Sequence, residues 1–485
     1  TKRVIKKCFV LIFNVLYVEK YKMVIYTKFR SKALQETSVS RRIKMKKRLL
    51  SIMLTVIMGA TLLVGCGGNS SKGSAAEAEP GKLKGEITFW HSFTQGARLE
   101  TIQAVADQFM KDNPDVKINI ETFSWGDFYT KWTTGLASGN VPDMSTALPG
   151  HVVEMMDAEA IIPVDDVIDN IGRDKFSKSA LSEGESVGSH YSLPLYSHAQ
   201  VMWYRKDLLE AAGLEVPKTW KEFANAAKVL TTNDVYGCSF PTGSKDLMGT
   251  RFLNFYVRSA GGSLLTDDLK ADLTSDLAID GINYWLDIYK NSSPKDSVNY
   301  AVLDQATLFY QGKTAFDFNS GFQISGVATN SPDLVDKIDC APIPKVNAND
   351  PDYGIETSNI PMVIWEKSEH PEICKAFIEK LYEKENYIKF LEATPVGMLP
   401  AIKGISDTEE YKSNETVKKF SNAVDVISTA VDKGTAIGFE HGPSVEAGLL
   451  TSQGIIESMF QDIITNGTDV KKAAQTAEDK LNELF

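Results

Sequence analysis

Residues 86–121 read EITFWHSFTQGARLETIQAVADQFMKDNPDVKINIE. Glu86-Ile87-Thr88-Phe89-Trp90 is a short run of strand-forming residues. From Arg98 to Asp112, Leu99, Ile102, Ala106, Phe109 and Met110 recur at helical spacing, and Asn113-Pro114 stops the run. Val116, Ile118 and Ile120 then alternate with Lys117, Asn119 and Glu121, the pattern of a half-buried strand. Strand, helix and strand within about thirty-five residues make a βαβ unit. A helical crossover of that length returns the chain parallel to its first strand. The stretch therefore predicts an α/β fold with largely parallel sheets.

Downstream, Gly139-Asn140-Val141-Pro142-Asp143-Met144 is a turn entering another strand. Thr219-Trp220-Lys221-Glu222 is a capping box ahead of Phe223, Ala226, Ala227 and Leu230. Ile373, Phe377, Ile378 and Leu381 mark a further helix. A final helix, capped by Thr468, carries Val470, Ala473, Ala474, Ala477, Leu481 and Leu484 on one stripe. The 400 residues from Gly85 to Leu484 predict two lobes at ~100–200 residues per domain.

Upstream, Met45 opens MKKRLLSIMLTVIMGATLLVGC. Lys46, Lys47 and Arg48 precede an apolar run of sixteen residues, Leu49 to Val64. That is a secretory leader by length and charge, and short of the ~20 residues a spanning helix needs. Leu63-Val64-Gly65-Cys66 resembles the bacterial lipobox, which implies cleavage before Cys66 and a diacylglycerol on its thiol. Residues 66–84, rich in Gly, Ser and Ala, read as a flexible tether. Residues 1–44 are expected to be an upstream extension, since a leader belongs at the N-terminus and Met45 is the natural start. Residues 1–65 hold 15 of the 52 basic and 2 of the 63 acidic side chains, leaving 37 and 61 from Cys66 onward, a net charge of −24. So acidic a chain argues against nucleic acid as a partner.

Beyond the opening stretch, three further kinds of segment carry a resemblance. YSLPLYSHAQVMWYRKDLLEAAGLEVPKTWKEF, Tyr191–Phe223, holds a strand leading to a Tyr-x-Lys-Asp helix and a Pro-x-Thr-Trp cap. Phe309–Phe316 reads FYQGKTAF. Ala341-Pro342-Ile343-Pro344 and Gly397-Met398-Leu399-Pro400 follow in order. Together these segments resemble the family 1 extracellular solute-binding proteins of ABC importers. The resemblance runs from about Glu86 to the C-terminus. It implies a two-lobed periplasmic-binding-protein fold of type II, with ligand held between lobes joined by hinge strands. By this similarity the chain crosses near Tyr196, Pro342 and Leu399. Lobe I is then 85–196 plus 343–398, and lobe II is 197–342 plus 399–485. The implied protein is a lipid-anchored monomer outside the cytoplasm that passes a carbohydrate, preferably an oligosaccharide, to an ABC permease. It catalyses no reaction, and no cofactor or metal is expected.

Sugar rings present C–H faces to aromatics and hydroxyls to fixed polar groups, so candidates are aromatic and polar residues at strand ends. Trp90, His91, Ser92 and Phe93 follow the first strand, and Trp125 and Asp127 the second. Asp143 closes the turn into the third strand, and in the resembling proteins the loop after that strand reaches ligand, which points to Pro149, Gly150 and His151. Tyr196, Ser197 and His198 lie at the first crossing. Asn319, Gly321 and Phe322 follow the GKTAF strand, and Glu440 and His441 precede the late helices. A rival ligand is glycerol 3-phosphate or its diesters, for which Arg98 and Arg251 are candidates. A rival class is a glycoside-processing enzyme. Its paired carboxylates ~5–9.5 Å apart cannot be read from a chain with 61 acidic residues. Gly312-Lys313-Thr314 lacks the earlier glycine of a P-loop, where Thr307 stands. The five cysteines have no CxxC spacing, and Cys238, Cys340 and Cys374 read as buried free thiols.

Overall fold

The computed structural model describes residues 82–485, apart from Gln95 and Lys245 and the side chains of Trp125, Tyr129 and Ser179. The expected upstream extension, leader, Cys66 and most of the tether lie outside the described residues.

The opening βαβ unit forms as its pattern dictates. Strand β1 (Gly85–His91) lies parallel to β2 (Val116–Thr122), with Ile87 opposite Ile118 and Phe89 opposite Ile120. The helix between them, Gly96–Asp112, buries Ile102, Val105, Ala106 and Phe109. Strand β3 (Met144–Thr146) pairs in parallel on the other side of β1. A small hairpin follows, β4 (Glu185–Ser186) and β5 (Ser189–His190). Then come β6 (Leu193–Ala199), β7 (Val201–Arg205), β8 (Phe316–Asn319), β9 (Ile338–Ala341), β10 (Thr357–Ile364) and β11 (Leu399–Pro400).

Six strands form the first sheet in the order β11-β6-β10-β3-β1-β2, and three form the second, β8-β7-β9. Among the described strands, those paired in parallel are β1 with β2 and β1 with β3; β10 runs against both β3 and β6, and β11 against β6. The second sheet is wholly antiparallel. The sheets are thus mixed, not largely parallel as the βαβ signal predicts. The reason is the point of entry. Strand β10 arrives from the second sheet at the end where β6 leaves, pairing Thr357 with Ala199, so it must run the other way.

The chain passes between sheets with almost no connection: β6 ends at Ala199, β7 begins at Val201, and Gln200 alone separates them. Along β7 the strand period of two divides the interior. Val201 and Trp203 join the hydrophobic cluster of the first sheet, whereas Met202 and Tyr204 join the second cluster. That second cluster is built from aromatics around Phe318, with Trp220, Phe223, Phe252 and Trp285 at 5.6, 5.0, 5.6 and 5.8 Å. Rings of this size bury the most apolar area per residue. After β11, Ile402, Tyr411, Val417, Phe420, Ala423 and Ile427 pack with the first cluster, and the second resumes at Ala436.

Local signals hold at most helix ends. Thr219 and Glu222 form the reciprocal capping box ahead of helix Trp220–Leu230. Helix Pro371–Leu381 buries Ile373, Phe377, Ile378 and Leu381. The last helix, Val470–Leu484, is capped by Asp469 and not Thr468: the Asp469 carboxylate accepts the Lys472 N–H at 3.1 Å. Aspartate is the stronger cap, which shifts the start by one residue. Leu484, in its last turn, stays 37% exposed. Cys238, Cys340 and Cys374 are buried free thiols.

Candidate functional site

A cleft of about 860 Å³ opens where the two sheets meet. The end of β6 places Tyr196 and His198 in its wall, and Gln200 follows at the passage to β7. The start of helix Gly96–Asp112 contributes Arg98. From the other side come Asn319 and Ser320 after β8, Phe322 on helix Phe322–Asn330, and Tyr310 at the end of helix Val302–Tyr310. Ser358 and Ile360 of β10 also line it, as does Arg251 of helix Met248–Ser259.

Backbone crowding sets the shape. Gly321 approaches the turn at Val396 so closely that a Cβ would stand 2.2 Å from the Val396 carbonyl oxygen. Gly326 leaves room for the Tyr310 ring, 2.1 Å from where its Cβ would be. No side chain fits at those distances.

The polar lining is fixed but incompletely used. Arg251 makes a two-pronged ion pair with Glu356, Nε and Nη2 each 2.7 Å from a carboxylate oxygen. Burial, with the Arg251 charge nearby, pushes the His198 imidazole down to about 3, so it is neutral at ordinary pH. Its Nδ1 has no hydrogen-bond partner among the described residues, and neither does Oε1 of the buried Gln200. Tyr196 is buried and its phenol is raised to about 12 by that burial, so it stays protonated. His198 packs between Tyr196 and Phe322, at centroid distances of 6.2 and 6.3 Å. The wall offers aromatic faces beside neutral donors and acceptors.

The sequence model of the bacterial extracellular solute-binding proteins matches residues 94–388. This chain belongs to that family. It is 23% identical over 442 residues to YcjN of Escherichia coli (strain K12), a protein assigned as an ABC transporter periplasmic-binding protein, covering 90% of this chain and 98% of YcjN. It is 30% identical over 169 residues to the sn-glycerol-3-phosphate-binding periplasmic protein UgpB of the same strain, covering 32% of this chain and 38% of UgpB. Its fold is that of an ABC transporter solute-binding protein from Thermotoga lettingae TMO, solved with alpha-D-tagatose. The TM-score is 0.71 at 21% identity, over 82% of this chain and 99% of the other.

In this solute-binding protein the structure brings Tyr196, His198, Asn319 and Phe322 to one cleft. Gly150 and His151 line a smaller pocket of about 50 Å³ that shares Arg251 and Ser358 with it. The other expected residues lie elsewhere. Trp90 is buried against Phe123, with the Lys131 ammonium 4.8 Å from its ring centre. His91, Ser92 and Phe93 are buried, and the Phe93 N–H donates to His91 Nδ1 at 3.1 Å. Strand β1 runs on through His91, so this segment faces inward instead of forming a rim loop. Asp143 accepts the Thr88 N–H at 2.8 Å and the Ser368 hydroxyl at 2.6 Å, which makes it a fastening between strand β1 and the segment after β10. Gly321 underlies the cleft as the residue before Phe322. Glu440 pairs with Arg258 at 3.3 Å and accepts from Ser263, and His441 is exposed. The Trp125 side chain lies outside the described residues. Sequence reasoning missed Gln200, Tyr310 and Ser358 as lining residues. Gln200 stands two residues beyond the named His198, and the direct passage from β6 to β7 was the signal that could have found it.

Proposed function

We propose that this chain is an extracytoplasmic receptor that captures a carbohydrate in the cleft and delivers it to an ABC permease. The observation that carries the reading is the cleft wall: the rings of Tyr196, Tyr310 and Phe322 line the same cleft as Gln200 and His198, whose Oε1 and Nδ1 have no partner among the described residues. Ring faces suit sugar C–H surfaces, and unpartnered buried polar atoms are costly until hydroxyls reach them. Family membership and the tagatose-bound neighbour support it. Residues 45–65 then direct export, acyl chains on Cys66 hold the protein at the membrane, and the segment up to 84 is the leash. The two lobes close on the ligand as a clamp and no bond is made or broken. The packing of Ile402 to Ile427 with the first cluster favours drawing the third crossing between Ile427 and Ala436, later than Leu399.

A thermal-shift screen of mono- and oligosaccharides and glycerol phosphates tests this. A ligand at 100 times its dissociation constant adds about 2.7 kcal/mol of stability. Sustained release of reducing ends from an oligosaccharide, or no shift with any saccharide, rejects the reading. Loss of the membrane-bound fraction in Cys66→Ser tests the anchor.

A further inference from the structure

Five arginines occur among the described residues, and Arg173, Arg205, Arg251 and Arg258 are each ion-paired to a carboxylate. Arg98 is the exception. It stands half-buried in the cleft wall, and no described carboxylate lies within ion-pair distance of it. Its guanidinium is 5.3 Å from the centre of the Phe93 ring and 4.8 Å from that of Phe322, and it donates a hydrogen bond to the Tyr196 hydroxyl. Aromatic faces attract a cation but accept none of its in-plane N–H donors. A guanidinium carries five such donors, and the Tyr196 oxygen accounts for one.

Among the described residues, the wall carries two other charged side chains. Arg251 is neutralised by Glu356. The Asp246 carboxylate accepts backbone N–H groups from Leu247 at 2.7 Å and Val302 at 3.0 Å. Arg98 also stands in the first turn of a seventeen-residue helix with no acidic residue in that turn, so the helix dipole adds to the positive end of the cleft. The buried Gln200 lines the same cavity, and its carboxamide oxygen has no hydrogen-bond partner among the described residues. Partial burial of a cation without a counter-charge is unfavourable, and an anion arriving with the ligand would remove the imbalance.

We propose that the saccharide taken by this cleft bears a negative charge, a uronic-acid carboxylate or a phosphate ester, which Arg98 binds through its free N–H edge. This deepens the carbohydrate reading and rests on it. Planar two-point contact to either anion is what distinguishes arginine from lysine.

The test is a set of matched pairs offered to the full chain: neutral disaccharides, the same disaccharides oxidised to uronates, and hexose phosphates beside their parent hexoses. Binding is read by calorimetry in wild type, Arg98→Gln and Arg98→Lys. The expected result is that an anionic member binds at least about tenfold more tightly than its neutral partner. That preference is lost in Arg98→Gln, partly kept in Arg98→Lys, and weakened as salt rises from about 50 to 500 mM. Uronate and phosphate arms separate the two sources of charge. Neutral members binding as well as anionic ones, with Arg98→Gln unaffected, overturn the charge assignment and leave the carbohydrate reading standing. No binding by any member to wild type overturns both. Unchanged melting temperatures of the unliganded variants show that the folds are intact, and a preference for anions that survives in a folded Arg98→Gln also overturns the assignment to Arg98.

Discussion

Gln200 carries two duties at one position: its N–H donates to the Glu356 carbonyl at 3.0 Å, while its side-chain oxygen has no partner among the described residues. Replacing it by leucine keeps the volume and removes the acceptor. Gln200→Leu is expected to weaken saccharide binding about tenfold while leaving the unliganded melting point close to wild type, as calorimetry and a thermal melt would record. His198 makes a second claim at this scale. Its imidazole is held at about 3, so it carries no charge from pH 5 to 8. Saccharide affinity should therefore show no step near pH 6.5, the usual histidine value, in a titration over that range. Away from the cleft, burial raises the Glu457 carboxyl to about 7, while Thr250 donates to its Oε1 from both N–H and hydroxyl. The folded form holds a proton that the unfolded chain releases above about 4.5, so this residue's contribution is full below that pH and is lost as pH rises through 7. Glu457→Gln should flatten that fall and be about 1–3 kcal/mol more stable than wild type at pH 8, by urea unfolding at pH 5 and 8.

Among elements, the contact that matters most is the start of helix Phe322–Asn330 against the turn at Val396. Gly321 permits it, and Val396 itself adopts a left-handed backbone with φ of 67°. A single methyl at Gly321 would meet a backbone carbonyl that cannot rotate away. Gly321→Ala should cost about 1–3 kcal/mol and shift Phe322, seen as a lower melting temperature and weaker saccharide binding together. Elements were also where the sequence was most readable. Helical spacing in Gly96–Asp112, alternation in β2 and the Thr219–Glu222 box are local, and each appears in the folded chain. The mixed sheet was not readable, because the direction of β10 depends on where β6 ends, some 158 residues earlier by the pairing of Thr357 with Ala199. The site divides in the same way. Tyr196, His198 and Asn319 lie in or at the end of strands, and Phe322 opens the helix just after one, which a strand pattern locates. Whether Trp90 to Phe93 point to solvent or to the interior depends on Phe123, Tyr196 and Phe390, none of them local. The isolation of Arg98 is likewise invisible until Phe322 is folded against it.

For the whole molecule, a cleft lined from both sheets makes ligand affinity and conformation one equilibrium. A bound saccharide adds contacts only when both walls reach it, so the radius of gyration from solution scattering should fall by roughly 1 Å or less on saturation. An unchanged scattering curve at saturating ligand would contradict a clamp. A strongly acidic chain from Cys66 onward, net −24, also faces an anionic solute with overall repulsion. Capture then depends on the local positive end of the cleft, and its rate should be sensitive to ionic strength.

Gln200 is the lone residue between β6 and β7, so under the proposed receptor role a solute held by its carboxamide would sit on the passage from one sheet to the other. Release of that solute and separation of the two walls would then be expected to share one rate.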